Sequence, residues 1–226
     1  MKYPEIRKAK FISRPNRFVA FVDIDGEELA CHVKNTGRCR ELLVPGAEVF
    51  LEESNNPARK YKYSLVTVRK GKRLVNMDSQ APNKVVGEWL KEGGLFSGIT
   101  LLKAESTYKK SRFDFYCEYE GKRAFIEVKG VTLENDGVVS FPDAPTERGT
   151  KHLNELIECM NEGYEAYAVF VVQMKDVLYF TANEDHDPKF AEALGKAAQE
   201  GVNIIALDCD VTEDSVVIKD RVEVRL

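Results

Sequence analysis

The chain has 226 residues, 43% hydrophobic and 31% charged, with a formal net charge of −4, which is enough for one large domain or two small ones with real cores. No apolar run approaches the roughly 20 residues needed to span a bilayer, and no hydrophobic signal core follows the polar start Met1–Lys8. Five cysteines without C-x-x-C spacing suggest neither a disulfide framework nor a zinc site, so the expected setting is reducing and cytoplasmic, with no membrane partner.

The net charge alone does not suggest a nucleic-acid binder, but its distribution is informative. Residues 1–85 carry 17 Lys+Arg against 10 Asp+Glu, and the remainder carries 16 against 27. A basic front and an acidic back suggest that one part meets phosphate while the other holds metal-binding or catalytic carboxylates. Two ordinary solvated surfaces would give the same split.

Residues 8–54 read as a run of short strands. Arg17–Asp23 is rich in β-branched and aromatic residues, and Asp25-Gly26 signals a hairpin into Glu27–Val33. Glu48–Leu51 and Tyr61–Arg69 follow, separated by Asn55-Asn56-Pro57, and Lys70-Gly71-Lys72 turns the chain into Arg73–Met77. About five short strands in under ~80 residues predict a small Greek-key barrel of the oligonucleotide/oligosaccharide-binding (OB) type over residues 1–80.

Among these strands lies His32-Val33-Lys34-Asn35-Thr36-Gly37-Arg38-Cys39-Arg40. Lys34, Asn35, Arg38 and Arg40 are candidate nucleic-acid ligands: Gly37 permits a tight turn, and a guanidinium can fork onto phosphate. The competing structural reading is a helical turn closing the barrel, with Asn35 as its cap and Leu42 and Leu43 buried.

A second domain is expected over residues 81–226. Pro82 suits a first helical turn, Val85, Val86, Trp89 and Leu90 mark one face, and Gly93 ends the helix. Leu101–Glu105 reads as a strand leading into residues 111–131, which form two strands joined at Glu120-Gly121. A two-residue loop pairs Tyr119 with Lys122. Phe113, Phe115 and Cys117 then face Val128, Ile126 and Ala124 on an apolar side, and Asp114 faces Glu127 on the other.

That register would leave two carboxylates roughly 4.5–5.5 Å apart at Cβ, with Lys129 two residues on. Such a pair requires a cation, a shared proton or a strong compensating partner. Mg²⁺ or Mn²⁺ suits it, since Mg²⁺ takes one or two carboxylates and leaves positions for water and phosphate. Glu88 and Glu105 are weaker acidic candidates for the same centre.

Farther along, Thr146 is the expected N-cap of a helix running to about Asn161, with Leu153, Leu156, Ile157 and Met160 on its buried face. Arg148, Lys151 and His152 form a cationic first part, a poor match to the helix dipole that an incoming phosphate would relieve; an exposed basic turn is the plain alternative. Ala166–Gln173 is nearly all apolar, as at the centre of a covered sheet. Val177–Thr181, a helix from Asp187-Pro188 to Gly201, a strand over Val202–Leu207, and two short strands near 216–218 and 222–224 complete a mixed α+β sheet flanked by helices.

The order Asp114, then Glu127-Val128-Lys129, then a helix resembles the core of the PD-(D/E)XK nuclease superfamily, with a restriction-endonuclease-like sheet. More specifically, residues 32–38, 111–115, 127–133 and 141–156 resemble the SfsA (sugar fermentation stimulation protein A) family over essentially the whole length. That resemblance implies an OB-type domain followed by a nuclease-like one, with DNA as the partner. It further implies that Asp114 and Glu127 ligate Mg²⁺, helped by the Val128 carbonyl, and that Lys129 positions the attacking water. Phe113 stands where the superfamily's proline would be, a position at which proline is often missing.

The leading expectation is therefore a DNA-binding protein with a Mg²⁺-dependent phosphodiesterase centre. A non-catalytic DNA-binding regulator of sugar-use genes is the alternative, and a carbohydrate-binding protein a third that the basic front disfavours. Oligomeric state is left open, a homodimer being common among proteins that bind duplexes.

Overall fold

The computed structural model describes residues 1–109 and 111–226. Its front part contains β1 (Ile6–Asn16), β2 (Val19–Ile24), β3 (Glu27–Val33), β4 (Glu48–Glu53), β5 (Tyr63–Lys70) and β6 (Arg73–Asn76). They are ordered β3-β2-β1-β4-β5-β6, and an extra β3–β5 pairing closes the first five into the expected barrel. β1, at 11 residues, pairs with both β2 and β4 and bends at register shifts around Ser13. Asp25 and Gly26 both take positive φ, 53° and 90°, the geometry that two-residue hairpin loops need to match strand twist. Ala20, Val22, Cys31, Val33, Val49, Leu51 and Leu65 fill the interior.

The back part contains α1 (Ala81–Lys91), β7 (Ile99–Tyr108), β8 (Ser111–Tyr119), β9 (Lys122–Val131), β10 (Leu133–Asn135), β11 (Val138–Phe141), α2 (Glu147–Asn161), β12 (Glu165–Val172), β13 (Tyr179–Ala182), α3 (Pro188–Gln199), β14 (Asn203–Val211) and β15 (Val216–Arg225). Its mixed sheet is ordered β10-β11-β13-β15-β14-β12-β9-β8-β7. β12 lies parallel to both β9 and β14. Its Ala166, Ala168, Phe170 and Val172 pack with α2 and α3, while Tyr167, Val169 and Val171 pack with α1. Burial on both faces is why this strand reads as one apolar run. Among the described residues no helix is long and apolar enough to cross a membrane.

Three features differ from the sequence expectations. The β10–β11 hairpin was not anticipated, although Asp136-Gly137, with φ of 50° and 86°, is a strong turn signal; its strands are only three and four residues long. The two short strands expected after residue 215 are one strand, β15, which pairs antiparallel with β14 and then parallel with β13. Its alternating polar residues reflect a change of partner rather than a break.

The third difference lies in the central hairpin. Glu120 and Gly121 turn as expected, and the pairs Tyr119–Lys122 through Phe115–Ile126 are formed. The β8–β9 ladder stops there, one step short of Asp114 and Glu127. Phe113 does not share a face with Phe115. It packs against Phe125 and His152, with ring centroids 5.3 and 5.9 Å away, whereas the Phe115 ring lies against Gly87 of α1. The physical reason is local: Asp114 Oδ2 accepts the Val128 N–H at 2.7 Å, so a carboxylate continues where the main-chain ladder ends. On the neighbouring β7, Glu105, between the pairs Ala104–Phe115 and Ser106–Phe113, is left-handed with φ 53°.

The two parts share buried apolar clusters and are joined by polar contacts as well. Asn76 N–H donates to the Gln173 carbonyl at 2.9 Å, and Gln173 Nε2 donates to Asn76 Oδ1 at 2.8 Å. Residues 1–3 cross to the back part, where Lys2 bridges Ser215 and Tyr3 N–H donates to the Asp214 carbonyl. Glu134 of β10, its side chain 5% exposed, takes Lys70 at 2.6 Å and Arg73 at 2.8 Å from the barrel. Burial pushes the Glu134 carboxyl up, but Lys70, the Gly137 N–H and Arg73 outweigh it and hold the group below its ordinary value. Its stabilisation is thus fully present above about pH 4.3, the ordinary Glu value, and is lost as pH falls through the depressed one. Glu134→Gln is expected to lower unfolding free energy by about 2 kcal/mol at pH 7. Urea melts should show the gap from wild type closing below about pH 4.

Candidate metal centre and basic groove

Asp114, Glu127 and Lys129 are brought together where β8 and β9 separate. Glu127 and Lys129 lie between Phe125 and Val131 on the one face of β9 that α2 covers, and Glu127 is 4% exposed. The Lys129 ammonium donates to Glu127 Oε1, and His152 Nδ1 lies 2.5 Å from the same oxygen. The other oxygen, Oε2, is buried and has no hydrogen-bond partner. Asp114 takes the Asn83 amide at 2.7 Å on Oδ1 and the Val128 N–H on Oδ2.

Asn83 reaches Asp114 because α1 begins close to β9. A Cβ at Gly130 would lie 2.8 Å from Pro82 Cγ and 2.5 Å from Gln173 Oε1, so only glycine lets the first helical turn approach this closely.

The electrostatics of the two carboxylates differ. Burial pushes the Asp114 carboxyl above its ordinary value, and the Glu127 charge adds to the rise. Burial pushes Glu127 up as well, but the His152 hydrogen bond and the Lys129 ammonium outweigh it, and the group is held below its ordinary value. One carboxylate is compensated and the other carries the repulsion, which is the condition a cation would relieve.

Among the described residues no group of three or more His, Cys, Asp or Glu is set to hold a metal ion. A two-carboxylate centre with an orphaned buried oxygen fits a hard cation that keeps several waters, such as Mg²⁺. Glu88 and Glu105 stand outside it. Glu88 pairs with the N-terminal ammonium at 2.6 Å, and Glu105 pairs with Arg112 at 3.4 Å.

The candidate nucleic-acid residues separate into three groups. Arg38 and Arg40 line an open groove of about 720 Å³ together with Arg14, Arg17 and the loop Asp143–Pro145. Arg148 and Lys151 are exposed on the first turns of α2, Lys151 standing 3.7 Å from Glu155. Lys34, Asn35 and His152 serve inside the fold.

Lys34 pairs with Glu52 at 2.7 Å and Asp78 at 3.3 Å. Asn35 accepts the Gly37 N–H and donates to the Met77 carbonyl. The structural reading of the loop holds in part: Leu42 and Leu43 are buried and their N–H groups meet the Cys39 carbonyl, but Asn35 closes a local turn onto Gly37 and caps no helix. His152, expected on the helix surface, is 3% exposed and belongs to the carboxylate centre.

Two contributors escaped the sequence analysis. The Arg14 guanidinium donates to the carbonyls of Asn35, Gly37, Arg38 and Arg17, at 2.6 to 2.9 Å, and so shapes the groove wall. Asn83 is the other. Neither lies in a recognisable motif, and apart from the Arg14–Arg17 bond their partners stand 21 to 31 residues away along the chain. The opposite wall is close: a Cβ at Gly37 would fall 2.3 Å from Asp143 Oδ2.

α2 starts as expected, with the Thr146 hydroxyl accepting the Gly149 N–H at 3.0 Å. The Asp187 carboxylate caps α3 through the Phe190 N–H and also accepts the Thr146 N–H at 2.7 Å. That shared cap fixes the start of α2, from which Arg148 is exposed and His152 reaches Glu127.

Comparison with known proteins agrees with this architecture. Residues 12–77 match the family model described as the SfsA N-terminal OB domain, and residues 80–215 match that of the sugar fermentation stimulation protein RE domain. Sugar fermentation stimulation protein homologs of Clostridium beijerinckii and Ruminiclostridium cellulolyticum are 59% and 58% identical over 226 residues, covering all of both chains in each case. The structure of Pyrococcus furiosus SfsA in complex with Ca²⁺ superposes with a TM-score of 0.90 at 26% identity, covering 100% of this chain and 98% of that one. The barrel, the mixed sheet and these matches, taken together, make this chain a member of the SfsA family.

Proposed function

We propose that the protein binds DNA along the arginine-lined groove and hydrolyses a phosphodiester bond at the Asp114–Glu127–Lys129 centre. The observation that carries this reading is Glu127 Oε2, a buried carboxylate oxygen without a partner, in a centre where a second carboxylate is already strained by charge. A divalent cation held by Asp114 and Glu127 would supply a Lewis acid and a source of hydroxide. The Pyrococcus furiosus relative was solved in complex with Ca²⁺, and a hard divalent ion of that kind would suit the two carboxylates here.

The remaining work falls to the chain itself. Lys129, 20% exposed beside Glu127, can orient the attacking water or offset charge developing on phosphorus. Arg38, Arg40 and Arg148 would seat flanking phosphates, and guanidinium groups suit this by their forked geometry.

The reading is tested by incubating supercoiled plasmid with the protein and Mg²⁺ or Mn²⁺ beside an Asp114→Ala control. Cleavage by the wild type alone supports it; equal cleavage by both, or none across several DNA structures, sinks it. One observation favours a non-catalytic DNA-binding role instead: the Lys129 ammonium and a hydrogen bond from His152 already compensate Glu127 without a cation. DNA binding with no cleavage would select that role.

The groove makes a separate prediction. Replacing Arg38 and Arg40 together by Ala should reduce the slope of log affinity against log salt by about 1.8 for duplex DNA, near 0.9 for each phosphate left without its arginine. Anisotropy titrations across a salt series measure it, and an unchanged slope would place the phosphates elsewhere.

A further inference from the structure

We infer that His152 is a positioning residue for the carboxylate centre: it holds Glu127 by one oxygen so that the other is offered to the cation. This rests on the metal-binding half of the proposed function and adds a residue and a task to it. His152 projects from α2 into the space beside β9, 3% exposed, with the Phe113 ring edge-on at 5.9 Å. Its Nδ1 is 2.5 Å from Glu127 Oε1, and the Arg148 Nε stands 3.5 Å from its Nε2.

A guanidinium only donates. Nε2 facing Arg148 is therefore the acceptor nitrogen, and the ring proton sits on Nδ1, where it is given to Glu127. The imidazole is thus held in one tautomer between the Arg148 donor on α2 and the Glu127 acceptor in the centre.

The consequence lies in how the two Glu127 oxygens divide their partners. His152 and Lys129 both donate to Oε1, and Oε2 receives nothing although it is buried. Had the two donors been shared between the oxygens, a cation could bind only by displacing one of them. Placing both on Oε1 leaves Oε2 open and fixes the plane of the carboxylate, the arrangement by which outer groups orient a metal ligand. Helix packing enforces this, because Leu153 and Leu156 anchor α2 in the core beside His152.

The test is calorimetric titration of the DNA-free protein with Mn²⁺, comparing wild type with His152→Leu, His152→Asn and Arg148→Met. Leu keeps an apolar filling but removes the donor, whereas the Asn amide replaces Nδ1–H. The expected result is Mn²⁺ affinity about 10–100-fold weaker in His152→Leu and within about 3-fold of wild type in His152→Asn, with unchanged circular dichroism.

Arg148→Met, an exposed position that does not threaten the fold, should weaken Mn²⁺ by about 3–10-fold through loss of the fixed tautomer. It decides the matter if His152→Leu does not fold. Wild-type affinity in His152→Leu, or an equal loss in the Leu and Asn variants, would overturn the inference while leaving the metal centre intact. Absence of Mn²⁺ binding by the wild type would remove the centre itself, and the inference with it.

Discussion

Asp114→Asn is expected to abolish stabilisation by divalent cations while leaving the metal-free protein at least as stable as the wild type. Asp114 is half-buried beside a second carboxylate, and both loss of solvent and the Glu127 charge push its carboxyl up. An ionised form so disfavoured makes the folded state lose stability as pH rises from the ordinary Asp value to the raised one. Asn removes that penalty and can still meet the Val128 N–H and Asn83 if the Asn83 amide turns over, since either end of an amide can donate or accept.

Glu127 has the opposite sign. Its depressed carboxyl contributes stability above the ordinary Glu value, which is lost as pH falls through the depressed one. The cation term is the larger effect: at a hundred times its dissociation constant a ligand adds about 2.7 kcal/mol. For a chain of this size that is roughly 5–10 °C in Tm. Melts with EDTA, Mg²⁺ and Mn²⁺ measure it at pH 7.5, and acidification should weaken the wild-type shift as Asp114 protonates. An equal cation-induced shift in Asp114→Asn would place the ion elsewhere.

The second large effect is expected at Lys129. Lys129→Met should slow phosphodiester cleavage by about 10²–10³-fold, the range seen when one preorganised group that stabilises transition-state charge is removed. DNA affinity should change by less than about 2-fold, because the side chain is held on Glu127 and is not among the groups lining the groove. Single-turnover cleavage at saturating protein separates the two quantities. A loss confined to affinity would make Lys129 a phosphate contact; an unchanged rate would remove it from the chemistry.

Local patterns made much of this molecule legible. Asp25-Gly26 and Glu120-Gly121 reported hairpins because a two-residue loop demands positive φ, and few residues tolerate it. The apolar run of β12 reported a sheet covered on both faces, and Thr146 reported the start of α2 through a hydroxyl that satisfies a helical N–H. The pairing of Phe115 with Ile126 followed from turn length alone, since period-2 geometry leaves no freedom once the loop is set.

The centre itself was only half readable. Asp114, Glu127 and Lys129 could be named because they lie close along one hairpin. Their geometry could not be obtained by extending the ladder, because Asp114 ends it by bonding Val128 N–H and Phe113 changes sides there. The charges around Lys34 and His152 looked alike in the chain, as polar groups available to phosphate. Folding sends Lys34 to Glu52 and Asp78 and His152 to Glu127, leaving Arg38 and Arg40 on the groove.

What the amino-acid order determined by itself was the elements, the turn-set registers and the identity of two carboxylates and a lysine, all of which depend on neighbours a few residues apart. Tertiary structure alone decided which cations stay exposed, which oxygen of Glu127 stays open, and that Arg14 and Asn83 shape groove and centre. Those outcomes depend on contacts between residues 18 to 44 positions apart along the chain, and only packing determines which of the available partners each charge meets.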